Sequence, residues 1–123
     1  MLDLIKQLLY NTRMDKFSAL ADPTRRKIIE LLASNGQLTA TEISDHFPIS
    51  PQAISQHLKV LREAKLVRVE KRAQQRIYRI NPRTMLELEE WAGQLRQLWN
   101  QRFDALEQIL VEEKRKEQGD EQE

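Results

Sequence analysis

The sequence predicts a mainly α-helical protein carrying one small β-hairpin, and three observations predict it. Apolar residues recur at three- and four-residue steps through most of the chain, the spacing of one face of a helix. Helix-start signals punctuate it at Asp22-Pro23, Thr39-Ala40-Thr41-Glu42 and Ser50-Pro51, each placing an oxygen-bearing side chain where the first free amides need an acceptor. Only between Val67 and Ile80 does the period change to two, the signature of strands. A length of 123 residues suits one domain with a single core.

Taken in order, Leu2, Ile5, Leu8 and Leu9, then Met14, Phe17 and Leu20, predict one or two amphipathic helices with a break near Asn11 and Thr12. Lys6 is the one cation among residues 1–10, so a partner helix suits this face better than a membrane surface. Asp22 as N-cap and Pro23 as first residue open the next helix. Ile28, Ile29, Leu31 and Leu32 supply its buried face, and Gly36 ends it in a left-handed cap. Thr39 and Glu42 form a capping box for a short helix running to Phe47, with Ile43 and Phe47 facing inward. Pro48-Ile49 turns the chain before Ser50 caps a further helix with Pro51 in its first turn. Two short helices joined so tightly predict a helix-turn-helix.

The helix from Ser50 bears most directly on function. At 100° per residue, Ile54, Leu58 and Leu61 share one stripe, while Gln52, Gln56, Lys59 and Glu63 lie opposite, flanked by Ala53, Ser55 and His57. A helix entering a DNA groove needs such a face: Gln pairs with adenine edges, Ser bonds a base or phosphate, and Ala permits close approach. A merely solubilising face would be richer in Glu and Lys. His57 flanks this face, placed for either a structural hydrogen bond or a DNA contact.

Val67 and Val69, then Tyr78 and Ile80, flank Lys71-Arg72-Ala73-Gln74-Gln75-Arg76 as a hairpin with a basic tip. Lacking Asn-Gly or Asp-Gly, its loop is expected to be longer than two residues and mobile. Asn81-Pro82 opens a long final helix whose Leu88, Trp91, Leu95, Leu98, Trp99, Phe103, Leu106 and Leu110 form an apolar seam. So small a domain leaves little core to receive that seam. A second subunit covers it economically, with Ile5, Leu9, Trp91, Leu95, Leu98, Trp99, Phe103 and Leu106 as the expected dimer contacts; the alternative is packing within one monomer. Residues 1–111 are thus expected as the folded domain and 112–123, where apolar residues cease, as a disordered charged tail.

Charge divides the chain in the same way. Residues 50–83 hold nine Lys/Arg against two Asp/Glu, whereas residues 1–49 are balanced and the remainder acidic, leaving +1 overall. A basic block in an otherwise neutral or acidic chain is the footprint of a phosphate-binding surface, because Lys and Arg displace counterions condensed on nucleic acid. Several functions are disfavoured. There is no cysteine, hence no disulfide framework, thiolate metal site or Cys nucleophile. His46 beside Ser44 and Asp45 invites a catalytic reading, but neighbours in a helix point to different faces and form no relay. Without a glycine-rich phosphate loop or a metal-ligand cluster, no enzyme and no cofactor are expected. The apolar runs are too short for a membrane span and the start lacks the order of a secretory signal, so a cytoplasmic location is expected. A winged-helix module binding protein or RNA is the alternative function; the amide-rich face favours duplex DNA, since Tyr78 is the one aromatic in the basic segment and single-strand readers stack bases on several.

Phe17-Ser18-Ala19-Leu20-Ala21-Asp22-Pro23-Thr24-Arg25-Arg26, together with Ser50-Pro51-Gln52-Ala53-Ile54-Ser55-Gln56-His57-Leu58 and Leu61-Arg62-Glu63-Ala64, resembles the ArsR family of bacterial winged-helix repressors over residues 14–83. The resemblance implies a winged helix-turn-helix with N- and C-terminal dimerisation helices, a homodimer on an inverted repeat, and repression relieved by an effector. Carried over by position, Ser50, Gln52, Ala53, Ser55, Gln56, His57 and Lys59 would lie at the groove, and Arg72 and Arg76 on the wing. Trp91 and Trp99 look like the branch with aromatic residues in the last helix. Metal sensors of the family use Cys, or His with acidic ligands on the last helix; with no Cys and only His46 and His57, no metal site is expected. The hairpin tip also lacks the glycine common there. Met14 stands where many members begin, which would make residues 1–13 either an extension or the product of an upstream start choice.

Overall fold

The computed structural model describes residues 2–5, which are helical, and 15–121. Leu9 and the break expected near Asn11 and Thr12 lie outside the described residues. The ordered elements run α1 (Lys16–Leu20), α2 (Pro23–Asn35), β1 (Leu38–Thr39), α3 (Ala40–Asp45), α4 (Pro51–Glu63), β2 (Val67–Arg72), β3 (Gln75–Ile80) and α5 (Pro82–Glu121). The chain forms two compact units, Met1–Met85 and Leu86–Glu123, and the division falls inside α5.

The first unit is mainly helical with a small sheet, as the sequence predicts, and its helices start where the capping signals stand. The Asp22 carboxylate accepts from the backbone N–H of Thr24 at 2.8 Å and of Arg25 at 3.1 Å. Thr39 and Glu42 exchange both bonds of the capping box at 3.1 Å. The Ser50 hydroxyl accepts from the Ala53 amide at 3.1 Å, with Pro51 following. Gly36 ends α2 at φ 83°, a backbone conformation with little penalty for glycine alone. The core is built from the predicted stripes: Ile28 and Leu32 of α2, Ile43 of α3, and Ile54, Leu58 and Leu61 of α4, joined by Leu66. Each is essentially inaccessible, so burial of these side chains, at about 1.5–3 kcal/mol each, is the main force holding α4 to the other helices.

Three features differ from expectation within this unit. The sheet has a third strand, β1, which pairs with β3 through Leu38↔Tyr78 and Thr39↔Ile77, so the order is β1-β3-β2. Two residues carry no periodicity, and only the approach of β3 makes them a strand. Helix α3 stops at Asp45, not Phe47, because the His46 imidazole donates to the Glu42 carbonyl at 2.7 Å and satisfies the frayed end. The hairpin is tight rather than long: β2 and β3 remain in register from Val67↔Ile80 to Arg72↔Gln75, leaving only Ala73 and Gln74 between them. Ala73 takes the turn at φ 54°, tolerable because its side chain is small although disfavoured by about 1–2 kcal/mol.

The junction between α4 and the hairpin is closed by a Schellman motif. The amides of Lys65 and Leu66 donate to Arg62 and Leu61 at 3.0 and 2.9 Å, with Lys65 at φ 62° in the position glycine usually fills. The Lys65 carbonyl then accepts from the Asn81 side-chain amide at 2.9 Å and from the buried Thr84 hydroxyl. These bonds fix the angle at which the hairpin leaves the helix.

The described residues of the second unit, 86–121, are all helical. Residues 112–121, expected as a disordered tail, continue α5. Their Glu, Lys, Arg and Gln are strong helix formers, and Glu112 and Lys116 stand at the favourable four-residue spacing. Along α5, Trp91, Leu95, Leu98, Trp99, Phe103, Leu106 and Leu110 are all at least half exposed.

Candidate nucleic-acid interface

Burying Ile54, Leu58 and Leu61 turns the opposite side of α4 outward. Gln52, Ser55, Gln56 and Lys59 are exposed, as is the capping Ser50, while Ala53 and His57 are half-buried at the margins. The residues expected at a groove therefore do share one accessible face, beginning at the amino end of a 13-residue helix. The Ser50 hydroxyl oxygen is already engaged as the cap, which leaves its O–H free to donate elsewhere.

The hairpin tip carries Lys71, Arg72 and Arg76, all exposed, on adjacent strands in the register Lys71↔Arg76. Glu70 moderates this cluster. Its carboxylate accepts from Arg79 at 2.7 Å and from Arg72 at 3.3 and 3.4 Å, so Arg72 is partly neutralised where it stands. Arg76 and Tyr78 of β3 instead line a cleft of about 330 Å³ whose other walls include Thr41, Ser44 and Asp45 of α3 and Ser55 of α4. The sequence reading singled out Ser55 and Arg76 but missed Thr41, Ser44 and Tyr78 as their neighbours. No period or spacing in the sequence links them; only the packing of α3 beneath β3 does.

Behind α4, the start of α2 meets His57. The Arg25 guanidinium donates from Nε to the Ala19 carbonyl at 2.6 Å and lies 3.3 Å from His57 Nδ1 through NH1. Asp22 sits in the same cluster. Burial pushes its pKa up, but the backbone N–H groups of Arg25 and Thr24 and the charge of Arg25 outweigh burial and hold the carboxyl below its ordinary value. Of the two roles open to His57, the structural hydrogen bond is present.

Among the described residues no cluster of three or more His, Asp or Glu is arranged to hold a metal ion. No helix among them is long and apolar enough to cross a membrane. The expected dimer contacts Ile5, Trp91, Leu95, Leu98, Trp99, Phe103 and Leu106 are all exposed.

Comparison with known proteins points the same way as the geometry. A helix-turn-helix domain family matches residues 20–70, the span from the end of α1 into β2. The transcriptional repressor SdpR of Bacillus subtilis (strain 168) is 39% identical over 75 residues, covering 61% of this chain and 82% of the relative. The crystal structure of an ArsR family transcriptional regulator superposes with a TM-score of 0.62 at 30% identity, over 68% of this chain and 86% of the other. An ArsR-like transcriptional regulator from Rhodococcus sp. RHA1 gives a TM-score of 0.64 at 29% identity, over 76% and 87%.

Proposed function

This chain belongs to the ArsR family of winged-helix transcription regulators, and we propose that it represses transcription as a cytoplasmic homodimer bound to an inverted-repeat operator. The observation that carries the reading is the exposed amide face of α4, opposite a fully buried stripe, with the cationic hairpin tip following it in the chain. Gln52 and Gln56 read base edges, Ser50 and Ser55 bond bases or phosphates, and Ala53 permits close approach. Lys59 supplies charge farther along α4, and Arg72 and Arg76 neutralise phosphates beside the groove.

Two copies are needed to read an inverted repeat, with their α4 helices in successive major grooves roughly 34–36 Å apart. The apolar row on α5 supports this: Leu95, Leu98, Trp99, Phe103 and Leu106 are 52–67% exposed in the single chain, at the three- and four-residue steps that let two helices interlock. Ile5, 51% exposed, is a further dimer contact on this reading. An effector acts on such a dimer by changing the spacing of the two α4 helices.

Binding of the purified protein to duplex DNA from upstream of its own gene, against shuffled DNA at two salt concentrations, tests the reading, with the mass in solution measured alongside. Selective binding by a species of twice the chain mass is the expected result. Equal, weak binding to both duplexes overturns it.

A further inference from the structure

We propose that Arg25 is the positioning residue of the DNA-reading helix, setting the rotation of α4 through His57; this rests on the reading of α4 as the groove-facing helix. The guanidinium of Arg25 joins three elements. Its backbone lies in the first turn of α2, where Asp22 accepts its N–H at 3.1 Å; its Nε donates to the Ala19 carbonyl of α1 at 2.6 Å; and NH1 reaches His57 Nδ1 of α4 at 3.3 Å. Arg26, its neighbour, serves only α1, donating to Leu20 and Ala21 carbonyls at 2.7 and 3.1 Å. Of these two adjacent arginines, the half-buried one ties α1 to α4 and the exposed one does not.

The chemistry of the bond sets the state of His57. Arginine has no acceptor and does not give up its proton, so Nδ1 must supply a lone pair. His57 bound in this way is a neutral imidazole with its proton on Nε2. The bond also supplies what the apolar stripe lacks. Ile54, Leu58 and Leu61 hold α4 against the core, but burial is non-directional, whereas a hydrogen bond weakens steeply off its axis. His57 follows Gln56 directly. With side chains reaching 5–6 Å from the helix axis, a 10° rotation carries their tips roughly 1 Å sideways, enough to spoil a bidentate contact to a base. A displacement of α1 is passed to the base-reading face by the same guanidinium.

The experiment uses the full chain and its selected duplex beside a shuffled one. Arg25→Gln and His57→Ala are each expected to weaken selected-duplex binding about tenfold, the loss of one hydrogen bond to a charged group. Shuffled-duplex affinity and the salt slope should stay unchanged. The double variant is expected to be no worse than either single one, since both break one link. His57→Asn, whose Oδ1 accepts near the place of Nδ1, should retain binding, and Arg26→Gln should leave selectivity intact. Nitrogen NMR reads the link without DNA: in Arg25→Gln the unprotonated Nδ1 of His57 moves downfield as its donor is lost. Additive losses, an unmoved Nδ1 resonance, or a salt slope shallower by about one, which would make Arg25 itself a phosphate contact, overturn the proposal. If the unaltered protein binds both duplexes equally, the functional reading fails instead, while the Nδ1 resonance still reports whether Arg25 holds His57.

Discussion

Replacing Glu70 with glutamine should tighten DNA binding, because Glu70 is the one acid among the hairpin cations. Its carboxylate holds Arg79 at 2.7 Å and Arg72 at 3.3 Å, with side chains 42–54% exposed. Pairs as exposed as these contribute roughly 0–1 kcal/mol to stability, so the substitution should move the unfolding free energy by less than about 1 kcal/mol. On DNA two effects add. A carboxylate about 8 Å from a phosphate is repelled by about 0.5 kcal/mol in water, a little over twofold in affinity. Arg72, released from Glu70, becomes free to neutralise one more phosphate, steepening the dependence of log affinity on log salt by about 0.9. Titration of labelled duplex at several salt concentrations measures both, and the gain should be equal on selected and shuffled sequences because no base is read. An unchanged affinity and slope would mean that the hairpin does not approach the phosphates, and the assignment of Arg72 and Arg76 to the backbone would fall with it.

Gln56→Ala should cost about 1–3 kcal/mol of discrimination between duplex sequences if it pairs bidentately with a base, which titration across single-base variants of the preferred duplex reads directly; uniform weakening on all of them contradicts a base contact. Lys65→Gly should raise stability by about 0.5–1 kcal/mol, since the φ of 62° disfavours any residue with a Cβ, and a lower melting temperature would count against strain at that corner. Asp22→Ala should cost about 0.5–2 kcal/mol at pH 7 by removing the α2 cap. The Asp22 carboxyl titrates below its ordinary 3.8 in the folded chain, so its stabilisation is present above that pH and lost as pH falls through the folded value; the difference between the two proteins in urea unfolding should be full at pH 7 and shrink as pH falls below 3.8, and a constant difference would contradict the linkage.

The sequence by itself determined the elements whose causes are local. Capping at Asp22, Thr39 and Ser50 is a matter of an oxygen placed two or three residues before a free amide, and all three caps form as written. The buried stripe of α4 follows from the 3.6-residue period, so Ile54, Leu58 and Leu61 inside and Gln52 and Gln56 outside were legible without coordinates. The functional class was legible for the same reason, since an amide-rich helix face followed by a basic hairpin is a local pattern. Where local chemistry was ambiguous, the prediction went astray. Ala73 and Gln74 show no turn dipeptide, yet the register of six strand pairs forces a two-residue turn. The run from Glu112 has no apolar residue after Val111, but its helix formers continue α5.

Only the tertiary structure decided which residues meet from distant parts of the chain. Leu38 and Thr39 become a strand because β3 presents a free edge to them. Thr41, Ser44 and Tyr78 join Ser55 and Arg76 around one cleft, and Arg25 reaches His57 across 32 positions of sequence. Contacts of this kind leave no periodic trace, because they depend on how the buried stripes of α2, α3 and α4 pack against one another rather than on the spacing within any one of them.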